Sequence, residues 1–247
     1  METGLYNAAT SLASLQRWQE VTSQNIASSG VPGYKGQQMS FEAIHAGKMG
    51  IPTEKGSLSM PVTMAISTPS ADFTGGMLKQ TGSPTHMAIR GEGFFRIQGD
   101  GYEYISRDGE FHIDPDNQIV NKQGHPVLGE TGPMRVQPNY GEITISRTGE
   151  ITQGINKVGE LDIVDYYEKE SLIRVPGGFR VDPDNPLRRK EMIEPDILQG
   201  QLEDSNVTPM EQMVNLISVS RAFEVNQKVI QTLDEKMGKT IEVLGAT

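Results

Sequence analysis

The chain has 247 residues, a formal net charge of −10 and no cysteine. Without a basic cluster, nucleic acid and anionic membrane surfaces are disfavoured as partners, and without cysteine neither disulfides nor thiolate metal sites can form. No stretch approaches 18 consecutive apolar residues, so we expect no membrane insertion.

The first predicted element is an amphipathic helix at the N-terminus. Its seam repeats at steps of three and four residues, the spacing of a coiled coil. Gly30 and Pro32 predict that the helix ends near Ser28. The segment METGLYNAATSL lacks the basic and apolar regions of a secretory signal, so we expect no cleaved signal peptide. The seam residues are Leu5, Ala8, Leu12, Leu15, Gln19, Thr22 and Ile26.

Residues 39–84 show no sustained period and are rich in Gly, Ser, Thr, Met and Pro. We predict an extended connector there, with a short strand at Val62 to Ile66, because so long an irregular segment fits best between two bodies. The first body then includes residues 1–38, and the second begins near residue 85.

Residues 85–200 alternate short apolar runs with turn residues, which predicts a mainly antiparallel β domain. Gly99 to Gly101 and the pair Gly177 and Gly178 have hairpin chemistry. The predicted strands are 93–98, 102–107, 110–113, 118–121, 143–146, 159–165, 172–175 and 179–181.

Residues 201–247 contain a second, longer helix. Thr208 is a suitable N-cap and Pro209 a suitable first helical residue. A group of apolar residues from Met210 to Ile217 lies on a different flank from the seam, so one partner helix would not cover both. The seam residues are Leu216, Val219, Phe223, Asn226, Ile230, Leu233, Met237, Thr240 and Leu244.

Two helices at opposite ends of the chain, each with an apolar seam that needs cover, are predicted to pack together. The expected fold class is therefore α+β, with an antiparallel β domain and a discontinuous coiled-coil domain formed by the N- and C-terminal helices. An ordinary core helix remains the alternative for the C-terminal segment.

Neither a catalytic nor a cofactor-binding motif can be recognised. The four histidines lack zinc-ligand spacing, and Gly91, Glu92 and Gly93 give only half of a dinucleotide fingerprint. The repeated segments FHIDPDN and FRVDPDN lack the glycine and glutamate of an EF-hand. We therefore expect no enzyme, no bound metal and no cofactor, although two carboxylates brought together in space for hydrolysis are not excluded by the sequence.

Three segments have the form of known sequence signatures. The first is SQNIASSGVPGYK, the second is AIRGEGFFRI with YISRDGEFHIDPDNQIVNKQGHPVLG, and the third is LEDSNVTPMEQMVNLISVSRAFEVNQKVIQTLDE. In this order they resemble the N-terminal signature, the middle segment and the C-terminal signature of the rod and hook axial proteins of the bacterial flagellum. In the first segment Ser28 and Val31 replace the usual Asn and Thr. The motif residues are Asn25, Ile26, Ala27, Gly33, Tyr34, Lys35, Gly91, Gly93, Phe94, Phe95, Ser205, Asn206 and Val207.

This resemblance implies a structural subunit of the periplasmic basal-body rod, in its proximal part first, with the distal rod second and the hook third. It implies helical assembly with copies of itself and other rod proteins, transmission of torque, and export through the flagellar type III apparatus. The assembly interface would then use Leu5, Leu12, Leu15, Ile26, Leu216, Val219, Phe223, Asn226, Ile230, Leu233, Met237 and Leu244. The alternatives from other classes are a rod-associated cell-wall hydrolase and a surface filament or adhesin.

Overall fold

A computed structural model describes residues 2–53, 56–137, 141–190 and 195–245, with side chains described for 7–42, 67–137, 141–190 and 195–239. The predicted α+β class is confirmed: helices α1 (Glu2–Ser28) and α2 (Pro209–Gly245) occur with antiparallel strands. Both helix boundaries agree with the cap signals. The side chains of Leu5, Thr240 and Leu244 lie outside the described residues.

The chain folds into two compact units. One, here called the terminal unit, contains α1, α2 and residues Gln37–Asp72. The other, the β unit, contains Ser28–Gly36 and Phe73–Val207. The β unit thus extends beyond the predicted range of 85–200 and includes the short segment that follows α1.

In the terminal unit α1 and α2 run antiparallel. Asn25, near the end of α1, donates to Gln212 Oε1 near the start of α2 at 3.2 Å, and Asn226 Nδ2 lies 3.5 Å from the carbonyl of Ala8. Burial follows the predicted seams. Ala8, Thr22 and Val219 are buried, and the other described seam residues are half-buried: Leu12, Leu15, Gln19, Ile26, Leu216, Phe223, Asn226, Ile230, Leu233 and Met237.

The predicted extended connector over 39–84 is wrong. Its first part forms a hairpin in which β1 (Gln37–Thr53) pairs with β2 (Gly56–Ala71), from Gln37↔Ala71 to Thr53↔Gly56. The predicted short strand at Val62 to Ile66 is only a part of β2. Antiparallel pairing satisfies the backbone groups of both strands, which local composition did not reveal.

The strands of the β unit are antiparallel. Their bounds are β3 Leu78–Gln80, β4 Met87–Arg90, β5 Phe94–Gln98, β6 Glu103–Ser106, β7 His112–Ile113, β8 Ile119–Val120, β9 Leu128–Gly129, β10 Gly132–Pro133, β11 Ile143–Ile145, β12 Glu150–Gln153, β13 Asn156–Glu160, β14 Ile163–Tyr166, β15 Ile173–Val175, β16 Gly178–Arg180, β17 Arg189–Lys190, β18 Asp196–Gln199 and β19 Gln201–Glu203, with a 3₁₀ turn at Lys169–Ser171.

Among the described residues these strands form a six-stranded sheet in the order β15-β16-β6-β5-β14-β17 and a three-stranded sheet in the order β11-β12-β13. The other strands form the two-stranded sheets β18-β4, β19-β3, β7-β8 and β10-β9.

The predicted strand 159–165 is corrected to two strands. β13 ends at Glu160 in the three-stranded sheet, and β14 begins at Ile163 in the six-stranded sheet. Leu161 and Asp162 carry the chain from one sheet to the other, a change that an apolar run cannot indicate. The core of the β unit is built from Met87, Ile89, Phe95, Ile97, Tyr104, Phe111, Ile119, Val127, Met134, Val136, Ile145, Ile151, Leu161, Ile163 and Ile197.

Candidate functional site

The β unit consists of two segments of the sequence, 28–36 and 73–207. Motif residues near the ends of these segments lie together in one cluster, here called the junction. The chain enters or leaves the β unit after Ala27, Gly36, Asp72 and Val207. Within the β unit, the Gly36 N–H donates to Asn206 Oδ1 at 2.7 Å, and Asn206 Nδ2 donates to Thr74 Oγ1 at 3.1 Å. These hydrogen bonds therefore join three parts of the chain that are far apart in sequence, close to the residues at which the chain enters or leaves the β unit.

A buried carboxylate lies at the centre of the junction. Glu203 is 2% exposed, and its Oε1 accepts from Lys35 Nζ at 2.6 Å and from the Gly76 N–H at 2.9 Å. Its Oε2 lies 3.2 Å from Arg107 Nη1. One anion thus holds two cations, and Lys35 and Arg107 are themselves only 1% and 6% exposed.

Further hydrogen bonds hold the two cations in place, although the buried Nε of Arg107 has no hydrogen-bond partner among the described residues. Lys35 Nζ also donates to the Thr74 carbonyl at 2.7 Å, and Arg107 donates to the carbonyls of Ile89 and Gly91. Burial lowers the pKa of the Arg107 guanidinium, and the charge of Glu203 opposes that shift. Because a buried charge is expensive unless it is paired and hydrogen-bonded, the cluster depends on Glu203.

Aromatic rings surround the charged centre. The Arg107 guanidinium lies 5.3 Å from the ring centroid of Phe94, and Arg174 lies 4.8 Å from those of both Tyr34 and Phe179. Arg174 also donates to the Lys35 carbonyl, and burial lowers its pKa. Cation–π contacts of this kind hold Tyr34 and Lys35 against β15 and β16.

Gly33 allows the segment after α1 to approach Arg107 closely. Its φ is +66°, and a Cβ at this position would lie 2.1 Å from the Arg107 carbonyl carbon. The Gly33 N–H donates to the Glu203 carbonyl at 2.6 Å. Glycine is therefore required on both conformational and steric grounds.

The remaining motif residues have different surroundings. Gly93 has a φ of +111° between β4 and β5, and Phe95 is buried against Phe111 with ring centroids 5.3 Å apart. Ser205 Oγ accepts from the N–H of Val207 at 3.1 Å. In the terminal unit Asn25 is buried, Ile26 is half-buried and Ala27 is exposed.

The described residues contain neither a candidate metal site nor a helix that could span a membrane. No group of three or more His, Cys, Asp or Glu side chains there is arranged to hold a metal ion. Neither α1 nor α2, over the part that is described, is apolar enough to cross a membrane.

Two models of known protein families match segments of the chain that contribute residues to the junction. Residues 198–243 match the family model of the flagellar basal body rod FlgEFG protein C-terminal region, and residues 88–153 match that of the flagellar hook protein FlgE/F/G D1 domain. The flagellar basal-body rod protein FlgF of Salmonella typhimurium is 32% identical, and the alignment covers 99% of both chains. The chain belongs to the flagellar basal-body rod protein family.

Other rod proteins agree with this membership. FlgF of Caulobacter vibrioides is 30% identical with 99% of both chains covered, and FlgG of Agrobacterium fabrum is 30% identical over 92% of this chain and 94% of its own. The predicted resemblance, with the proximal rod first and the distal rod second, is confirmed. This rod protein is a structural component of the flagellar basal body.

Sequence reasoning missed three residues that organise the junction of this rod protein. Glu203 and Arg107 lie inside the quoted family segments but were not selected, and Arg174 lies outside them. Glu203 directly follows Leu202 in a short strand, where alternation predicts opposite faces and so gives no signal that both side chains are buried. Nothing local to Arg107 or Arg174 distinguishes a buried arginine from a solvated one.

Proposed function

We propose that this rod protein transmits torque in the periplasmic rod, and that its terminal helices form the contacts with neighbouring subunits. Its role is structural and not enzymatic. The observation that carries the proposal is the second apolar face of α2, which the pairing with α1 leaves uncovered.

Four apolar side chains near the start of α2 lie on the side opposite the seam. Met210, Met213, Val214 and Ile217 are between 52% and 76% exposed. Val225 and Val229 are also exposed farther along the helix. Because an apolar stripe of this kind is typical of an interface, we propose that other rod subunits cover it.

The lengths of the helices support the same proposal. α2 has 37 residues and α1 has 27. If the antiparallel register of the Asn25 and Asn226 contacts continues, roughly the last ten residues of α2 pass beyond the first residue of α1. This end of α2 would then pair with another copy or with another rod protein, in a head-to-tail contact that builds a helix.

The test is a double substitution, Val214→Ser with Ile217→Ser, in the full chain. Both residues are exposed, so the β unit and the α1–α2 pair should remain folded while incorporation into rods and swimming are lost. The matched control is Gln227→Ser with Asp234→Ser, which changes two exposed polar residues of the same helix that lie away from the face of Val214 and Ile217. Rods that contain the Val214/Ile217 variant in normal amount would refute the proposed interface.

The same basal bodies test the route of export. We propose that the chain leaves through the flagellar type III apparatus without cleavage, so mass spectrometry should find the full 27.1 kDa chain. An N-terminus inside α1 would contradict this. A wall hydrolase, the rival from another class, would instead show muralytic activity in the purified protein.

A further inference from the structure

Side chains of α1 contact the base of the β1–β2 hairpin. The rings of Trp18 and Phe41 meet edge to face with centroids 5.5 Å apart, and Arg17 Nη1 lies 3.5 Å from the Ser67 carbonyl. Ser67 is buried. Both strands of the hairpin, β1 through Phe41 and β2 through Ser67, therefore rest on the same stretch of helix.

Asn25 makes the most specific of these contacts. Its Oδ1 accepts from the Gln37 N–H at 2.9 Å, and its Nδ2 donates to the Gln37 carbonyl at 2.8 Å. The amide therefore pairs with both backbone groups of the first hairpin residue, as a neighbouring strand would. The backbone of Gln37, a half-buried residue, consequently obtains these partners from a helix side chain.

The same amide also contacts the second helix. Asn25 Nδ2 donates to Gln212 Oε1 at 3.2 Å, and Asn25 is 2% exposed. One buried side chain thus bonds to β1 and to α2 while belonging to α1. Its amide group matches all three bonds, since the oxygen only accepts and the nitrogen supplies two donors.

None of these elements is expected to be stable alone. A two-stranded hairpin is marginal in water, and a lone helix derives most of its stability from packing. We infer that Asn25 couples the elements, so that the β1–β2 hairpin becomes ordered only when α1 and α2 pair. This inference rests on the proposed role of the terminal helices: a subunit would present its hairpin to neighbouring subunits only while its two helices are paired.

The coupling can be measured on the full chain by hydrogen exchange along one solvent series, from urea through buffer to trimethylamine N-oxide. Peptides covering 37–42 and 67–71 report the hairpin base, and peptides within 209–237 report α2. In the unsubstituted chain the two sets should gain protection at the same midpoint, as one cooperative unit does.

The substitution Asn25→Ala should separate the midpoints at which the hairpin peptides and the α2 peptides gain protection. The hairpin peptides should then need more of the osmolyte, and under conditions in which α2 is already protected they should exchange about tenfold faster than in the unsubstituted chain. Ser23→Ala, an exposed position in the same turn of α1, is the control and should keep them together. The β unit serves as an internal standard for folding in each sample.

Separate midpoints in the unsubstituted chain, or coincident midpoints in the Asn25→Ala chain, would overturn the coupling. The proposed function fails by a different result, the incorporation of the Val214/Ile217 variant into rods, so the two failures are distinguishable.

Discussion

Among single side chains, Glu203 has the largest consequences, because one carboxylate pairs with two buried cations. Lys35, Arg107 and Glu203 come from three separate segments of the β unit. Replacing a complete buried ion cluster by apolar groups can be neutral, whereas removing one partner of a buried ion pair is strongly destabilising. Loss of the shared carboxylate is therefore the most damaging single change to this cluster.

We predict that Glu203→Gln destabilises the β unit by about 3–5 kcal/mol, since Lys35 and Arg107 remain buried and both lose the carboxylate that they share. The measurement is urea unfolding of the full chain, followed by a probe in the β unit. Asp204→Asn is the control because Asp204 is the adjacent residue and is exposed. Equal stability of the two variants would show that the ion pairs contribute nothing.

Among the secondary-structure elements, α2 has two apolar faces with different surroundings. The seam through Val219, Phe223 and Ile230 is buried or half-buried toward α1, while the face through Val214 and Ile217 is exposed. A change in the first face should disturb the pairing of the helices within one chain. A change in the second should disturb only the contacts between chains.

We predict that Phe223→Ser with Ile230→Ser abolishes rod assembly and also lowers the helix content of the purified chain. Each change removes a large apolar side chain, at a cost of roughly 2–5 kcal/mol for a well-packed site and less here because both residues are half-buried. Circular dichroism and basal-body composition are the measurements. Gln227→Ser with Gln231→Ser, at exposed positions of the same helix, is the control; normal rods in the seam variant would exclude α2 as the assembly element.

At the scale of the whole molecule, the bounds of the β unit do not coincide with the positions at which the composition of the sequence changes. A β domain cut at 85–200 would lack Lys35, Phe73 and Glu203, which surround Arg107 and Phe94 within the β unit. The short segment between α1 and β1 is therefore part of the β unit and not a linker.

We predict that a fragment of residues 28–207 unfolds at the same urea concentration as the β unit of the full chain, and that a fragment of residues 85–200 unfolds at a clearly lower one. Arg107 in the shorter fragment is left without Glu203, so its charge is either exposed or unpaired. The two fragments and the full chain would be compared by hydrogen exchange of shared peptides within 94–106 along one urea series, because the single tryptophan, Trp18, lies in α1 and is absent from both fragments. Identical midpoints for both fragments would mean that the junction does not stabilise the β unit.

Features with local causes were predicted correctly from the sequence. Gly30 and Pro32 end α1, Thr208 and Pro209 begin α2, and the three-and-four spacing located both seams. The α+β class followed from the change of period between the ends and the middle of the chain. The family motifs were also found, although no local rule explained why Gly33, Lys35 and Asn206 belong together.

Features that depend on distant partners required the folded chain. Lys35 and Glu203 are 168 residues apart, and Arg107 and Glu203 are 96 apart. Spacing along the chain carries no information about contacts at such separations, because any loop of this length can close at similar entropic cost. The same reason applies to the β1–β2 hairpin and to the predicted strand that is divided at Leu161. In both, packing of the folded chain decided which backbone groups pair with each other. The ends of the helices, in contrast, were decided by residues adjacent in sequence.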